Sequence, residues 1–251
     1  LIKKMMRNSI SISETIQPFN KSLMIEGDKS LSIRWALLAS QASGKSKSTN
    51  LLKSEDVIDT LRCLKKLGIK VRIAKNFCEI IGKGLNKFRY KKNLVLNAGN
   101  SGTLGRLLIG LLIHANKQIK IIGDKSLSRR DFKRIARPLS KFGAKFLLNR
   151  NSGLPLKIFG SKNLIPIKYF EKKGSAQCKS AVMLAALNTQ GKTIIKAKKS
   201  RDHTEILFKQ LKIPITIKKN KKFDLITVKG KKEFAGFKYN IPSDISSSAF
   251  F

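Results

Sequence analysis

Acidic residues are scarce in this chain: 15 Asp and Glu among 251 residues stand against 53 Lys and Arg, a formal net charge of +38. Cysteine is scarcer. Cys63, Cys78 and Cys178 form no CxxC pair, which argues against a zinc site or a disulfide framework and fits a reducing compartment. The two histidines, His114 and His203, leave little from which to build a His-based metal centre. Long apolar runs are missing too. Leu107 to Ile113 is far shorter than the ~18–20 residues of a membrane span. Behind Lys3 and Lys4 there is no apolar core of a secretory signal.

What is present is enough for a core. Apolar residues make up 41% of the chain and charged ones 27%, which fits a folded protein of one large domain or two small ones. The charge reads first as a nucleic-acid footprint. Its distribution argues otherwise, because the cations are spread along the whole length and 41 of the 53 are lysine. No RNP-like aromatic pattern accompanies them. A basic surface favouring small anionic ligands is the expectation, with no specific nucleic-acid partner and no membrane.

Strand and helix patterns alternate throughout, which makes the fold class α/β. Phe19 to Glu26 reads as a strand, Leu31 to Ser40 and Asp56 to Leu67 as helices, Lys70 to Ile73 and Phe77 to Ile81 as strands. The order restarts with strand Leu94 to Leu96, helix Leu104 to His114, strand Gln118 to Ile122, helix Arg130 to Phe142, and strands Lys145 to Leu148 and Leu156 to Phe159. A third copy runs through strand Ile165 to Tyr169, helix Cys178 to Leu187, strand Lys192 to Ile195, helix Asp202 to Leu211, and strands Ile215 to Ile217 and Leu225 to Val228. The helix-opening residues Lys29, Ser101 and Ser175 lie 72 and 74 positions apart, an internal repeat of βαβαββ form. Phe237 to Ile241 reads as a further strand, and Asp244 with its serines as the N-cap of a helix that the sequence leaves within its first turn. The chain therefore reads as truncated.

Gly44-Lys45-Ser46 resembles the end of a P-loop, but Ala39 stands where the pattern needs glycine, so a turn between helix and strand is expected. The turn-to-helix junctions carry more. A helix start offers unpaired N–H groups and a partial positive charge, which suits phosphate or carboxylate oxygens. The first junction adds Lys29, Ser30 and Arg34, the last two on one helical face. The second has Gly102, whose missing Cβ lets a ligand approach the backbone, with Arg106 a turn later. The third brings Ser175, Gln177 and Lys179, and between them Gly123 to Arg130 ends in a double arginine. Four such junctions point to a substrate with more than one phosphate or carboxylate. His114 reads as a cap or surface residue, and the cysteines as small apolar packing.

Five ordered motifs carry a resemblance: Gly27-Asp28-Lys29-Ser30-Leu31-Ser32-Ile33-Arg34, Asn97-Ala98-Gly99-Asn100-Ser101-Gly102-Thr103, Gly123-Asp124-Lys125-Ser126-Leu127, Ser175-Ala176-Gln177-Cys178-Lys179-Ser180-Ala181 and Ser200-Arg201-Asp202-His203-Thr204-Glu205. Together they resemble the EPSP synthase family, the 3-phosphoshikimate 1-carboxyvinyltransferases of aromatic amino acid biosynthesis. The resemblance implies a domain of three βαβαββ repeats over residues 19–236, with 1–18 belonging to a second similar domain that 237–251 begins. It implies cytoplasmic transfer of the carboxyvinyl group of phosphoenolpyruvate to the 5-hydroxyl of shikimate 3-phosphate, without metal or cofactor, by a protein that is a monomer at full length. Carried over by residue, Lys29, Ser30, Arg34, Ser175, Ala176, Gln177 and Arg201 match positions that hold shikimate 3-phosphate. Lys29, Gly102, Arg130 and Gln177 match positions for phosphoenolpyruvate.

The sequence departs from the family at Asp131, where proline is usual, at Asp28, which replaces a common serine, and at Ser243. The family's acid–base residues fall beyond Phe251, so none is assigned and the fragment alone is expected to be inactive. Two rival readings are a related transferase acting on UDP-N-acetylglucosamine, and a non-catalytic basic protein binding anions or nucleic acid. Lys29-Ser30 with Arg34 favours the shikimate substrate over the first.

Overall fold

The computed structural model describes residue 22 and residues 24–248 of the chain. The expected segment 1–18 lies outside the described residues, as does most of the expected strand Phe19 to Glu26. Its described end, residues 24–26, is not strand. Three units follow. The first holds α1 (Lys29–Gln41), β1 (Ser43–Thr49), α2 (Glu55–Lys66), β2 (Lys70–Ile73) and β3 (Phe77–Lys83). The second holds β4 (Leu94–Asn97), α3 (Gly102–Leu111), β5 (Ile119–Ile122), α4 (Lys125–Ser128), α5 (Lys133–Ser140), β6 (Lys145–Leu147) and β7 (Leu156–Phe159). The third holds β8 (Lys168–Glu171), α6 (Ala176–Leu187), β9 (Lys192–Lys198), α7 (His203–Gln210), β10 (Ile215–Lys219) and β11 (Phe223–Lys229). Then come β12 (Lys238–Asn240) and α8 (Ile245–Ser248), the helix whose cap the tail announced.

Each unit builds one four-stranded sheet of the same plan: β12-β1-β3-β2, β4-β5-β7-β6 and β8-β9-β11-β10. In each, the first pair is parallel and the other two antiparallel. The first sheet takes its parallel strand from far along the chain, with Lys47 opposite Lys238 and Thr49 opposite Asn240. This corrects the sequence reading at one boundary. Residues 238–240 complete the first sheet, instead of opening another domain, because β1 leaves a parallel edge that no other described strand fills.

Between the sheets lie α1, α3 and α6, buried on nearly every face. Helices apolar all round belong in an interior. Trp35, Leu107, Leu108, Met183 and Leu184 are at most 1% exposed there. Close packing fixes small residues at particular points. A Cβ on Gly110 of α3 would collide with the Ala181 carbonyl of α6. The same device recurs once per unit where the chain crosses the C-terminal end of its central helix. Gly82 packs on the carbonyls of Ala39 and Ala42, Gly160 on Ala115, and Gly230 on the carbonyls of Ala186 and Thr189.

Two local readings change. Ser43–Thr49 is a strand, so Gly44-Lys45-Ser46 is neither P-loop nor turn, and its inward residues are Ser46 and Ser48. The helix expected over Arg130 to Phe142 is shorter, Lys133–Ser140, with a separate one-turn helix, Lys125–Ser128, before it; Asp131 accepts from the Lys133 N–H at 2.8 Å where α5 starts. Among the described residues, no helix is long and apolar enough to cross a membrane.

Candidate anion site at the starts of three helices

The N-terminal ends of α1, α3 and α6 come together, tied by side chains. Arg34, one turn into α1 and 4% exposed, donates from Nε to Thr204 Oγ1 of α7 at 3.0 Å and from Nη2 to Ser180 Oγ of α6 at 3.3 Å. Its Nη1 donates to the Ser30 carbonyl at 3.0 Å, and Thr204 and Ser180 meet at 2.7 Å. Burial pushes the Arg34 guanidinium down to about 10, against the pull of Glu205 and Asp28.

Gln177 ties α6 to α3. Its Oε1 accepts from Arg106 Nη1 at 2.5 Å and its Nε2 donates to Thr103 Oγ1 at 3.0 Å. A Cβ on Gly102 would lie 3.1 Å from Nη1 of both Arg106 and Arg130, so the glycine leaves the α3 start open between two guanidiniums. Arg106 stacks 5.5 Å from the Phe132 ring. Burial lowers its pKa first, and the charges of Arg130 and Arg134 lower it further. Arg106, Arg130 and Arg134 thus lie close enough for their charges to repel.

The junctions differ in how their amides are used. Asp28 caps α1, accepting from the Leu31 N–H at 2.7 Å, so a fixed negative charge already stands there. That junction must act through side chains. Ser101 caps α3 through the Leu104 N–H at 3.2 Å and Ser175 caps α6 through the Cys178 N–H at 3.3 Å. These caps are neutral, and a serine accepting through oxygen keeps its O–H to donate. Ala176, half-buried, is the first residue of α6 and offers its backbone N–H. Glu171, 3% exposed at the end of β8, accepts from the N–H groups of Ser175 at 2.8 Å and Lys173 at 3.2 Å and so shapes the third turn.

Two cations stand apart from this arrangement. Lys29 is half-exposed and its ammonium pairs with Asp56 Oδ2 of α2 at 3.2 Å. Lys179, grouped with Ser175 and Gln177 in the sequence reading, faces elsewhere. It is 1% exposed and pairs with Glu205 Oε1 at 2.6 Å. Residues two apart on a helix do not share a face, so Gln177 and Lys179 cannot serve one ligand. Arg201 and Arg130 are exposed.

The sequence reading named some groups here, Ser200, His203 and Arg106, without assigning them to a ligand, and passed over Glu171. Ser200 Oγ and His203 Nδ1 are buried without a hydrogen-bond partner beside Arg201. The His203 imidazole is held below its usual range by burial, then by Arg34 and Arg201. An unsatisfied buried hydroxyl next to cations fits a site built for a ligand. Arg106 had a signal, its spacing of four from Gly102. Glu171 had none. The cysteines are as expected: all three are buried, and burial raises Cys63 and Cys78 to about 12.

The class of protein is thus a three-unit α/β domain with arginines and neutral serine caps gathered at the starts of its central helices. The sequence profile described as EPSP synthase (3-phosphoshikimate 1-carboxyvinyltransferase) matches residues 13–251. This chain belongs to the EPSP synthase family. It is 41% identical over 229 residues to a protein of Caldicellulosiruptor saccharolyticus named 3-phosphoshikimate 1-carboxyvinyltransferase, covering 90% of this chain and 52% of that one. A protein of the same name from Petrotoga mobilis is 39% identical over 236 residues, covering 92% and 54%. The solved EPSP synthase from Acinetobacter baumannii superposes with a TM-score of 0.83 at 33% identity, over 91% of this chain and 51% of that one. The chain spans about half the length of the curated relatives it matches.

Proposed function

We propose that this chain supplies the anion-binding half of a cytoplasmic 3-phosphoshikimate 1-carboxyvinyltransferase. The observation that carries the reading is the opening at Gly102 between Arg106 and Arg130, joined through Gln177 to the Ser175–Ala176 turn. Shikimate 3-phosphate is held by Lys29, Ser30, Arg34, Ser175, Ala176, Gln177 and Arg201, with the unpaired Ser200 hydroxyl added to that set. Phosphoenolpyruvate is held by Lys29, Gly102, Arg130 and Gln177. Helix-start amides and guanidiniums meet phosphate and carboxylate oxygens in their preferred geometry.

In the reaction, the 5-hydroxyl loses its proton as its oxygen adds to C2 of phosphoenolpyruvate, while the methylene carbon of phosphoenolpyruvate gains a proton. The resulting tetrahedral intermediate loses a methyl proton and phosphate. This chain's residues orient the two anions and offset their mutual repulsion, which is electrostatic preorganisation. Four carboxylates near the site are occupied: Asp28 and Asp124 cap helices, Asp131 accepts from the Lys133 N–H, and Asp56 pairs with Lys29. The family's acid–base residues correspond to none of these, nor to Asp202 at the start of α7. The 251 residues alone are therefore expected to bind without turning over.

Calorimetric titration of the chain with shikimate 3-phosphate and with unphosphorylated shikimate tests the reading. Binding of the phosphorylated ligand only is expected. Arg130→Ala should weaken phosphoenolpyruvate, in the presence of shikimate 3-phosphate, by about 1.5–3 kcal/mol, the range for hydrogen bonds to charged groups. Equal heats from UDP-N-acetylglucosamine, or phosphate release by the chain alone that Lys29→Ala abolishes, would overturn it.

A further inference from the structure

The outward faces of the first and third sheets carry the same ingredients with one difference. On the first, the Phe77 ring lies 4.2 Å from Lys47 Nζ and 5.6 Å from the Arg72 guanidinium. Glu79 stands in the middle of that face and pairs with Lys45 at 3.9 Å and Arg72 at 3.8 Å. The third sheet has no such acid. Strand alternation sends Thr193, Ile195, Ala197, Ile226 and Val228 into the core. It leaves Phe170, Lys196, Leu225 and Lys218 in one cross-strand row, with Phe223 opposite Lys198 and Lys168 opposite Ile194 in adjoining positions.

Phe170 is 38% exposed and Leu225 40%. Phe170 and Phe223 meet edge to face at 5.1 Å, and Lys196 Nζ lies 5.1 and 4.9 Å from their two centroids. Beside them is a surface hollow of about 410 Å³ lined by Lys168, Tyr169, Phe170, Ile194 and Lys196. Asp, Glu, Asn, Gln and Arg are all missing from the outward positions of these four strands. The face has flat rings and ammonium groups, with Thr216 and Thr227 as its only hydroxyls, and no amide, carboxylate or guanidinium that would grip a base edge with two hydrogen bonds.

We propose that the outward face of the third sheet binds single-stranded nucleic acid without sequence preference, bases stacking on Phe170 and Phe223 and phosphates held by Lys168, Lys196, Lys198 and Lys218. Two complementarities select this occupant. Four lysines without a counter-charge call for a polyanion, and exposed rings among them call for a polyanion that carries π-faces. A duplex hides those faces. An arriving base displaces the Lys196 ammonium from the rings, and the long side chain turns to the adjacent phosphate. The inference is independent of the anion site, which lies at the starts of the central helices.

Fluorescence anisotropy of a labelled 12-nucleotide oligo-dT with the 251-residue chain at 50 mM salt tests it, with inorganic polyphosphate as the ringless competitor. Phe170→Ala with Phe223→Ala should weaken oligo-dT at least 10-fold and leave polyphosphate unchanged. Lys168→Gln with Lys196→Gln should weaken both. Four phosphate contacts give a salt slope of about −2.8, so affinity should fall roughly 50-fold between 50 and 200 mM salt. If the double Ala variant does not fold, Phe170→Leu keeps an apolar side chain, removes the ring and gives the same comparison. The proposal is overturned if oligo-dT does not bind, if ring removal leaves its affinity unchanged or weakens polyphosphate in parallel, or if Lys120→Gln with Lys157→Gln on the second sheet produces the same loss.

Discussion

Two outer helices, α2 and α7, follow the helix dipole, whereas cations gather against it at the starts of the central ones. α2 opens with Glu55 and Asp56 and ends with Lys65 and Lys66, and α7 has Glu205 in its first turn and Lys209 in its last. α1, α3 and α6 have no acid in the first turn and no base in the last. Arg34, Arg106 and Arg130 gather instead at their positive ends. At the opposite pole the side chains that tie the helix ends together are amides, with Lys231 nearby. Asn188 Nδ2 donates to Gln41 Oε1 at 3.3 Å, and Asn86 Nδ2 to the Asn188 carbonyl at 3.3 Å. A cation at a helix start opposes the dipole, by the ~0.3–1 kcal/mol that it contributes at the other end. α2 and α7 carry charges that support their helices, while the central layer holds cations that oppose its helices, which is the arrangement the proposed anion site would use.

The largest way to break this contrast is at Glu205. It is the acid of an outer helix, and it holds α7 to α6 through Lys179, with both side chains at most 4% exposed. Glu205→Gln leaves a buried ammonium unpaired and should cost about 3–5 kcal/mol by denaturant unfolding. Lys179→Met with Glu205→Leu should recover most of that loss, because removing both charges also removes their desolvation. A single-variant loss below 1 kcal/mol would show that the pair does not join the layers. Burial raises the Glu205 pKa above its usual range, and Lys179 opposes the rise.

The opposite pole has its own probe. His114 stacks 6.2 Å from Phe88, and burial pushes its imidazole down to about 4. It packs where the sequence reading placed a cap or surface residue. A base with a depressed folded pKa binds its proton more readily unfolded. Its contribution is therefore complete above pH 6.5 and is lost as pH falls from there toward 4. The gap corresponds to about 3 kcal/mol at about 1.36 kcal/mol per pH unit. Unfolding measured from pH 7.5 to 4 should show that slope, and His114→Phe should lose it. Equal slopes in the two proteins would remove His114 as the cause.

How far the sequence revealed these layers depends on how local each signal is. Leu104 to His114 and Cys178 to Leu187 read as helices because almost every residue is apolar or small, and both lie buried as α3 and α6. β1 did not read as a strand, because its inward residues are Ser46 and Ser48 and its outward ones are largely lysine. Ser46 faces in to accept from the Phe237 N–H at 3.2 Å, a partner 191 residues away. β12 was legible as a strand but not as a member of the first sheet, for the same reason of distance. Gly102 and the Ser175 turn lie at helix starts, where helix-start chemistry in the sequence put them, while Lys29 pairs with Asp56. The pairing of Lys179 with Glu205 was not legible, since its partner lies 26 residues on.

The smallest predicted effect sharpens the comparison most. If the central helix starts give up stability to prepare an anion site, removing a cation there should stabilise the empty protein. Arg130 is the one to change, because it is exposed, whereas Arg34 is buried in hydrogen bonds to three residues. Arg130→Gln should raise unfolding stability at low salt by about 0.3–1 kcal/mol, relieving Arg106 of a neighbouring like charge. Because the effect is electrostatic and solvent-accessible, 1 M salt, with a Debye length of about 3 Å, should erase it. Saturating inorganic phosphate should reverse its sign, since an anion that binds only the native state stabilises in proportion to its affinity, and the variant binds it less well. Differential scanning calorimetry in the three buffers reads all three differences. A variant less stable than the parent at low salt would mean that Arg130 supports the fold, and the gathering of cations at the central helix starts would need another cause.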